Sequence, residues 1–211
     1  MEIWDLVDEN KNLIGKTIER GAVPDGVFHL VVHVWIKNSK NEYLIAKRAA
    51  NRSAYPLKDE CVGGSVLAGE TSAKAALREV HEEVGLIFKE QEAKLVKSFV
   101  RKTIGEKHFN DIVDVWLIHY DGEVDLKNAT TDEVDSIKWC DVDDIQKLFD
   151  SGEFVPTMDY FFELHKKLQK EQENNKKIKK NKQKKKIASE KDKYFAFYDD
   201  IKVGSHKVVD W

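Results

Sequence analysis

The sequence predicts an α/β sandwich, a mixed sheet with helices packed on it, extended at the C-terminus by a Lys-rich helical segment. Three observations carry that expectation. Runs rich in β-branched and aromatic residues alternate with polar turn clusters through the first 140 residues. One clean helical period lies between Thr71 and Gly85, and two further helical stretches follow Asp141 and Thr157. A chain of 211 residues suits one globular domain with an appendage.

Residues 3–7 and 13–18 flank the turn cluster Asp8-Glu9-Asn10-Lys11-Asn12 and read as a hairpin. Residues 28–36, a more buried strand, and 43–47 read as a second hairpin around Asn38-Ser39-Lys40-Asn41. Residues 61–66 form a further strand whose two glycines suit close backbone approach. Thr71 or Ser72 caps the next helix, Ala73, Ala76, Leu77, Val80 and Val84 recur at its spacing, and Gly85 stops it. Strands 95–103 and 112–120 are joined across Gly105, strand 134–140 follows, and Asp141 or Asp143 caps a short helix to Phe149. Phe161, Leu164 and Leu168 start an amphipathic helix whose apolar stripe fades beyond Lys170. The expected organisation is a body of residues 1–162, a Lys-rich helix or linker over 163–193, and an aromatic segment over 194–211. That last segment is too apolar for a free tail and is expected to dock on the body or on a second subunit.

Charge is unevenly placed. The whole chain carries −3, yet residues 163–193 hold thirteen Lys against five acids, +8, which leaves −11 for the remainder. The run Lys176 to Lys186 has little to bury and reads as a solvated helix end or linker, with contact to nucleic-acid phosphate as its alternative. Residues 1–5 show no charged start followed by an apolar run, and the longest apolar stretch, 30–36, falls far short of the roughly 20 residues of a membrane span. Two cysteines, Cys61 and Cys140, are too few for a disulfide framework. The expectation is a soluble cytoplasmic protein with free thiols and no membrane contact.

The chemistry concentrates in one helix. Glu79, Glu82 and Glu83 stand at i, i+3 and i+4, so their carboxylates share a face. Three like charges repel unless a cation neutralises them, and oxygen ligands without His or Cys select Mg²⁺ or Mn²⁺. Arg78 can hold a carboxylate in its fork beside them. An exposed charged helix face is the plainer account, but it leaves Gly64 and Gly85 unexplained.

The pattern Gly64-x5-Glu70-x7-Arg78-Glu79-Val80-x-Glu82-Glu83-x-Gly85-Leu86 matches the Nudix box at every fixed position. Seven such identities arise by chance in a chain this long on the order of once in a million. The chain therefore resembles the Nudix hydrolase superfamily from about residue 3 to 162. The resemblance implies an α/β/α sandwich and divalent-cation-dependent cleavage of a diphosphate linkage in a nucleoside diphosphate derivative or related organic pyrophosphate. It further implies that Glu79, Glu83 and the Gly64 carbonyl bind the metal. Glu82 would be a further ligand or the base, Arg78 would orient Glu79, and Glu70 would anchor the loop or meet a second ion. Many such enzymes add an acid from a later loop, for which Glu133 is the leading candidate, beside Asp132. Lys47 and Arg48 at a strand end are candidates for phosphate binding.

Residues 2–10, 28–35 and 46–49 look like the branch that also contains type 1 isopentenyl diphosphate isomerase. That rival needs a Cys immediately before the box Gly and a His immediately after it. Gly63 and Ser65 stand there, Cys61 is two residues early, and of two upstream His positions only His29 is met, the other being Ala22. A non-catalytic nucleotide-binding module is the third reading, but it would be marked by loss of a box acid, and none is lost. Trp35, Phe109, Trp116, Trp139 and Tyr160 read as core aromatics, with base stacking as the alternative, and His29 and His33 read as strand residues satisfied within the fold.

Overall fold

The computed structural model describes residues 2–104 and 107–204 and divides into two compact units, Met1–Phe161 and Phe162–Trp211. In the first unit β1 (Ile3–Val7) and β2 (Leu13–Glu19) form the expected hairpin. The main sheet runs through β3 (His29–Lys37), β4 (Tyr43–Arg48), β5 (Asp59–Glu60), β6 (Val62–Ser65), β7 (Ala93–Ile104), β8 (Lys107–His119) and β9 (Val134–Cys140). Its order is β5-β4-β3-β8-β7, with β6 also on β3 and β9 also on β4. The expected α/β class with a mixed sheet is present: β3 lies parallel to β8 and antiparallel to β6.

Two local expectations change. The supposed hairpin of β3 and β4 pairs only at Lys37 and Tyr43, because β6 occupies the edge of β3 while β5 and β9 take β4. The strand expected over 61–66 is present but shortened to β6, Val62–Ser65, and an unexpected two-residue strand, β5, precedes it on β4 with Cys61 between the two. Gly105, the expected turn between β7 and β8, lies outside the described residues.

Helix α1 (Ser72–Val84) begins where Thr71 accepts a hydrogen bond from the Lys74 N–H and ends at Gly85, whose φ of 71° suits glycine. Its Ala75, Ala76, Val80 and Val84 pack on Val32, Val34 and Ile36 of β3. That burial fixes the rotation of the helix. The other face of β3 meets aromatics: Trp35 stacks on Phe161 at 4.1 Å, and Tyr43 meets both edge-on. Helix α2 (Val142–Asp150) is capped by Asp141 and buries Ile145.

In the second unit α3 (Phe161–Gly204) is one continuous helix, and the residues from 173 to 183 are exposed, as a stretch with little apolar surface requires. The side chains of the aromatic run 194–198, and residues 208–211, lie outside the described residues, as does the docking expected of them. Among the described residues no helix is long and apolar enough to cross a membrane.

His33 contacts the Tyr160 hydroxyl through Nδ1 at 2.8 Å, and the Trp35 indole N–H donates to the same hydroxyl at 3.1 Å. Burial, with a smaller contribution from the Arg101 charge, lowers the His33 pKa from the usual 6.5 to about 3. The unfolded chain therefore binds a proton here below pH 6.5 that the fold does not, so this group removes stability as pH falls from 6.5 towards 3. The buried acids Glu60 and Glu79 act in the opposite sense between pH 7 and 4.5, so the wild-type profile alone mixes the two. The gap to a His33→Gln variant isolates the histidine. It should move in the variant's favour by about 2 kcal/mol between pH 6.5 and 5 in urea titrations. A gap independent of pH would contradict the assignment.

Candidate active site

The packing of α1 turns Glu79 and Glu83 inward, 7% and 3% exposed, and leaves Glu82 at the rim. Arg78 ties the acids together. Its Nη1 donates to Glu79 Oε1 at 2.8 Å and to Glu82 Oε2 at 2.9 Å, while Nε and Nη2 donate to the two oxygens of Glu70 at 3.1 and 3.0 Å. Nη2 also reaches the Ser65 carbonyl at 2.9 Å. Burial works against this guanidinium, but the hydrogen bonds and charges of Glu70 and Glu79 outweigh it and raise its pKa. The Leu67 N–H donates to Glu70 as well, so Glu70 closes the loop between β6 and α1.

That loop is also propped from outside. The Ala68 N–H donates to the Ile3 carbonyl at 2.8 Å and the Gly69 N–H to Asp5 at 2.7 Å, so β1 holds its far side. The absence of a side chain at Gly64 lets the Glu79 carboxylate lie against its backbone, since a Cβ there would push that carboxylate aside. The backbone of Gly64 can thus come right up to the acids.

Burial raises the Glu79 pKa to about 7, against the opposing pull of Arg78. It also raises that of Glu83 well above the ordinary carboxylate range, helped by the charges of Glu60 and Glu79, although the Gly63 N–H donates to it. Among the described residues Glu83 Oε2 is buried with no hydrogen-bond partner. Among the described residues no three acid, His or Cys side chains form a ready-made ion cluster, and at this site Arg78 pairs with both Glu79 and Glu82. The donor set still fits a hard dication: an orphaned buried oxygen, a second buried carboxylate and a glycine backbone beside them, all oxygen ligands. Positive charge brought there would relieve what burial opposes.

A model of the NUDIX domain matches residues 27–163. The chain belongs to the Nudix hydrolase family. A relative described as an uncharacterized Nudix hydrolase of Listeria monocytogenes is 37% identical over 165 residues, covering 77% of this chain and 91% of its own. Among solved structures, DR0079 of Deinococcus radiodurans aligns with a TM-score of 0.60 at 22% identity, over 79% of this chain and 98% of its own. A bifunctional NMN adenylyltransferase/ADP ribose pyrophosphatase of Francisella tularensis, solved with AMP and a manganese ion, aligns at 0.50 and 17% identity over 64% and 41%. Both structures share the Nudix fold with this chain.

Beyond the Nudix box, the segment that carries Glu133 is pinned to α1. The backbone N–H groups of Thr130 and Thr131 and the Thr131 hydroxyl all donate to the Glu82 carbonyl at 3.0 to 3.1 Å. Gly85 is needed a second time here, since a Cβ would strike Asn128 and Ala129 of the same segment. Glu133 pairs with Arg52, and its charge acts on Glu60, Glu79 and Glu83, so it lies within electrostatic reach of the box acids.

Strand alternation separates Lys47 from Arg48. Lys47 pairs with the buried Asp59 at 3.2 Å and donates to the Leu57 carbonyl. Arg48 pairs with Glu60, donates to the Ala54 carbonyl at 2.9 Å and lines a cavity of about 150 Å³ beside Gly63 and Gly64. Phe109 lines that cavity with Arg101 over its ring at 4.4 Å, whereas Trp35 and Tyr160 are buried and Trp116 and Trp139 pack against the core. Sequence reasoning missed Glu60, which lies four residues before Gly64 and whose burial raises its pKa to about 7 despite Arg48. It also missed Arg52. Both pair with residues placed by the fold, which local patterning does not reveal.

Proposed function

We propose that this Nudix hydrolase cleaves a diphosphate linkage in a nucleoside diphosphate derivative or related organic pyrophosphate, using Mg²⁺ or Mn²⁺. The observation that carries the reading is the buried pair Glu79 and Glu83 beside the Gly64 backbone, with Glu83 Oε2 unmatched. Glu79, Glu83, Glu82 and the Gly64 carbonyl would hold the ion. Glu70, with both oxygens on Arg78, fits the role of loop anchor better than that of ligand. When bound, such an ion neutralises phosphate oxygens and acidifies nearby water.

The chain's own groups supply the rest. Arg78 fixes the carboxylates of Glu79 and Glu82. Glu133, 31% exposed at its side chain, is open to water and serves as general base. It accepts the proton as the water oxygen bonds to phosphorus, and the bridging oxygen leaves with its electron pair. The test is a panel of nucleoside diphosphate sugars, dinucleotides and isoprenoid diphosphates with Mg²⁺, Mn²⁺ or chelator. The AMP and manganese of the Francisella relative motivate the nucleotide and cation arms. Phosphate-containing products should form with ion and stop with chelator. Turnover indifferent to chelator would overturn the reading.

The isomerase-like alternative lacks its acid–base thiol. Cys61 is fully buried, its Sγ lies 3.7 Å from Met158 Sδ, and burial pushes the thiol pKa well up. Cys61→Ala is therefore expected to keep hydrolysis within about twofold of the parent, the thiol acting as a small apolar side chain. Lost activity in a folded Cys61→Ala protein, or double-bond migration in an isoprenoid diphosphate, would instead favour the isomerase-like chemistry.

A further inference from the structure

The segment between β4 and β5 is built rather than loose. Arg48 closes its base, donating its N–H to the Lys58 carbonyl at 2.9 Å and accepting the Leu57 N–H at 3.2 Å, and its Nε donates to Ala54 within the segment. Tyr55 and Leu57 sit at φ of 51° and 62°, a region that non-glycine residues occupy only where the surroundings hold them. Near the apex the Arg52 N–H donates to the Ala49 carbonyl at 3.2 Å, and the Ala49 N–H donates to the Glu133 carbonyl at 2.8 Å. The Arg52 guanidinium then pairs with the Glu133 carboxylate.

Glu133 is thus held from two sides. Thr130 and Thr131 fasten the preceding residues to the Glu82 carbonyl, and the β4–β5 segment holds both the backbone and the side chain of Glu133 itself. The fastening to α1 sets where the residue lies. The Arg52 guanidinium pairs with its carboxylate, and so sets where that carboxylate points.

We propose that Arg52 is a positioning residue for Glu133, aiming its carboxylate at the water that attacks phosphorus. The inference rests on the reading of Glu133 as general base. A base must lie within hydrogen-bond reach of the proton it takes, and small misplacements lower turnover steeply. At 21% and 31% side-chain exposure the pair contributes little to stability, so its loss should leave the fold intact.

The experiment compares Arg52→Ala, Arg52→Lys, Glu133→Gln and the Arg52→Ala/Glu133→Gln double variant of the full chain, on the best substrate of the panel with Mg²⁺. Arg52→Ala should lower kcat about 10- to 100-fold with KM within about twofold and an unchanged melting temperature. Arg52→Lys, which keeps a cation, should recover part of the loss. In the Glu133→Gln background, Arg52→Ala should cost no more than about twofold further, because its effect acts through a base already removed. Losses that multiply, or a KM that rises while kcat holds, would show Arg52 meeting substrate directly and overturn the proposal. Full turnover in Glu133→Gln would overturn it too, while the wider Nudix reading would still stand or fall on Glu83.

Discussion

Glu83→Gln is expected to lower kcat about a thousandfold at saturating Mg²⁺ while leaving the fold intact. The side chain is 3% exposed, receives the Gly63 N–H and carries an oxygen with no partner, so the protein holds a carboxylate where burial disfavours its charge. Gln keeps the shape but removes the charge that would answer a cation. The same substitution has a second consequence. With its folded pKa raised by burial, Glu83 removes stability as pH climbs above the ordinary carboxylate value, so the chelator-treated variant should be more stable than the parent at pH 8. That advantage should shrink as pH falls, because acid protonates the parent's carboxyl and removes the buried charge. A variant within tenfold of parental turnover, or one less stable than the parent at pH 8, would contradict the account.

Arg78→Ala should be the most damaging change to stability at the site. One guanidinium serves Glu70, Glu79, Glu82 and the Ser65 carbonyl, and its side chain is 23% exposed. Removing it leaves three neighbouring carboxylates without their common cation, at a loss of about 2 to 4 kcal/mol after allowance for partial solvent access. Arg78→Lys should recover only part, because one ammonium cannot span donors that a planar fork places on four groups. Urea unfolding of the chelator-treated proteins reads the loss directly. A change under about 1 kcal/mol would show that the network is held by something other than Arg78.

Much of this was legible in the chain. Thr71 or Ser72 at the start and Gly85 at the end bounded α1 to within a residue, and β9 ran over the expected 134–140, because caps and period-two runs act locally. The spacing of Glu79, Glu82 and Glu83 was likewise enough to bring them to one helix turn. It did not reveal their different depths: Glu79 and Glu83 are buried and Glu82 is not, since depth depends on how Ala76, Val80 and Val84 seat on β3. Nor did adjacency in sequence reveal that Lys47 would turn to Asp59 while Arg48 turned to Glu60.

The sequence by itself determined the family, the identity of the acids and the helix that carries them, because an i, i+3, i+4 spacing and its caps are set by neighbours a few residues apart. Only the tertiary structure decided which strands pair, how the Ile3 carbonyl and Asp5 prop the loop before α1, and that Arg52 meets Glu133 across about eighty residues. Those contacts join segments whose local patterns say nothing of one another, and burial against a shared core is what brings them together.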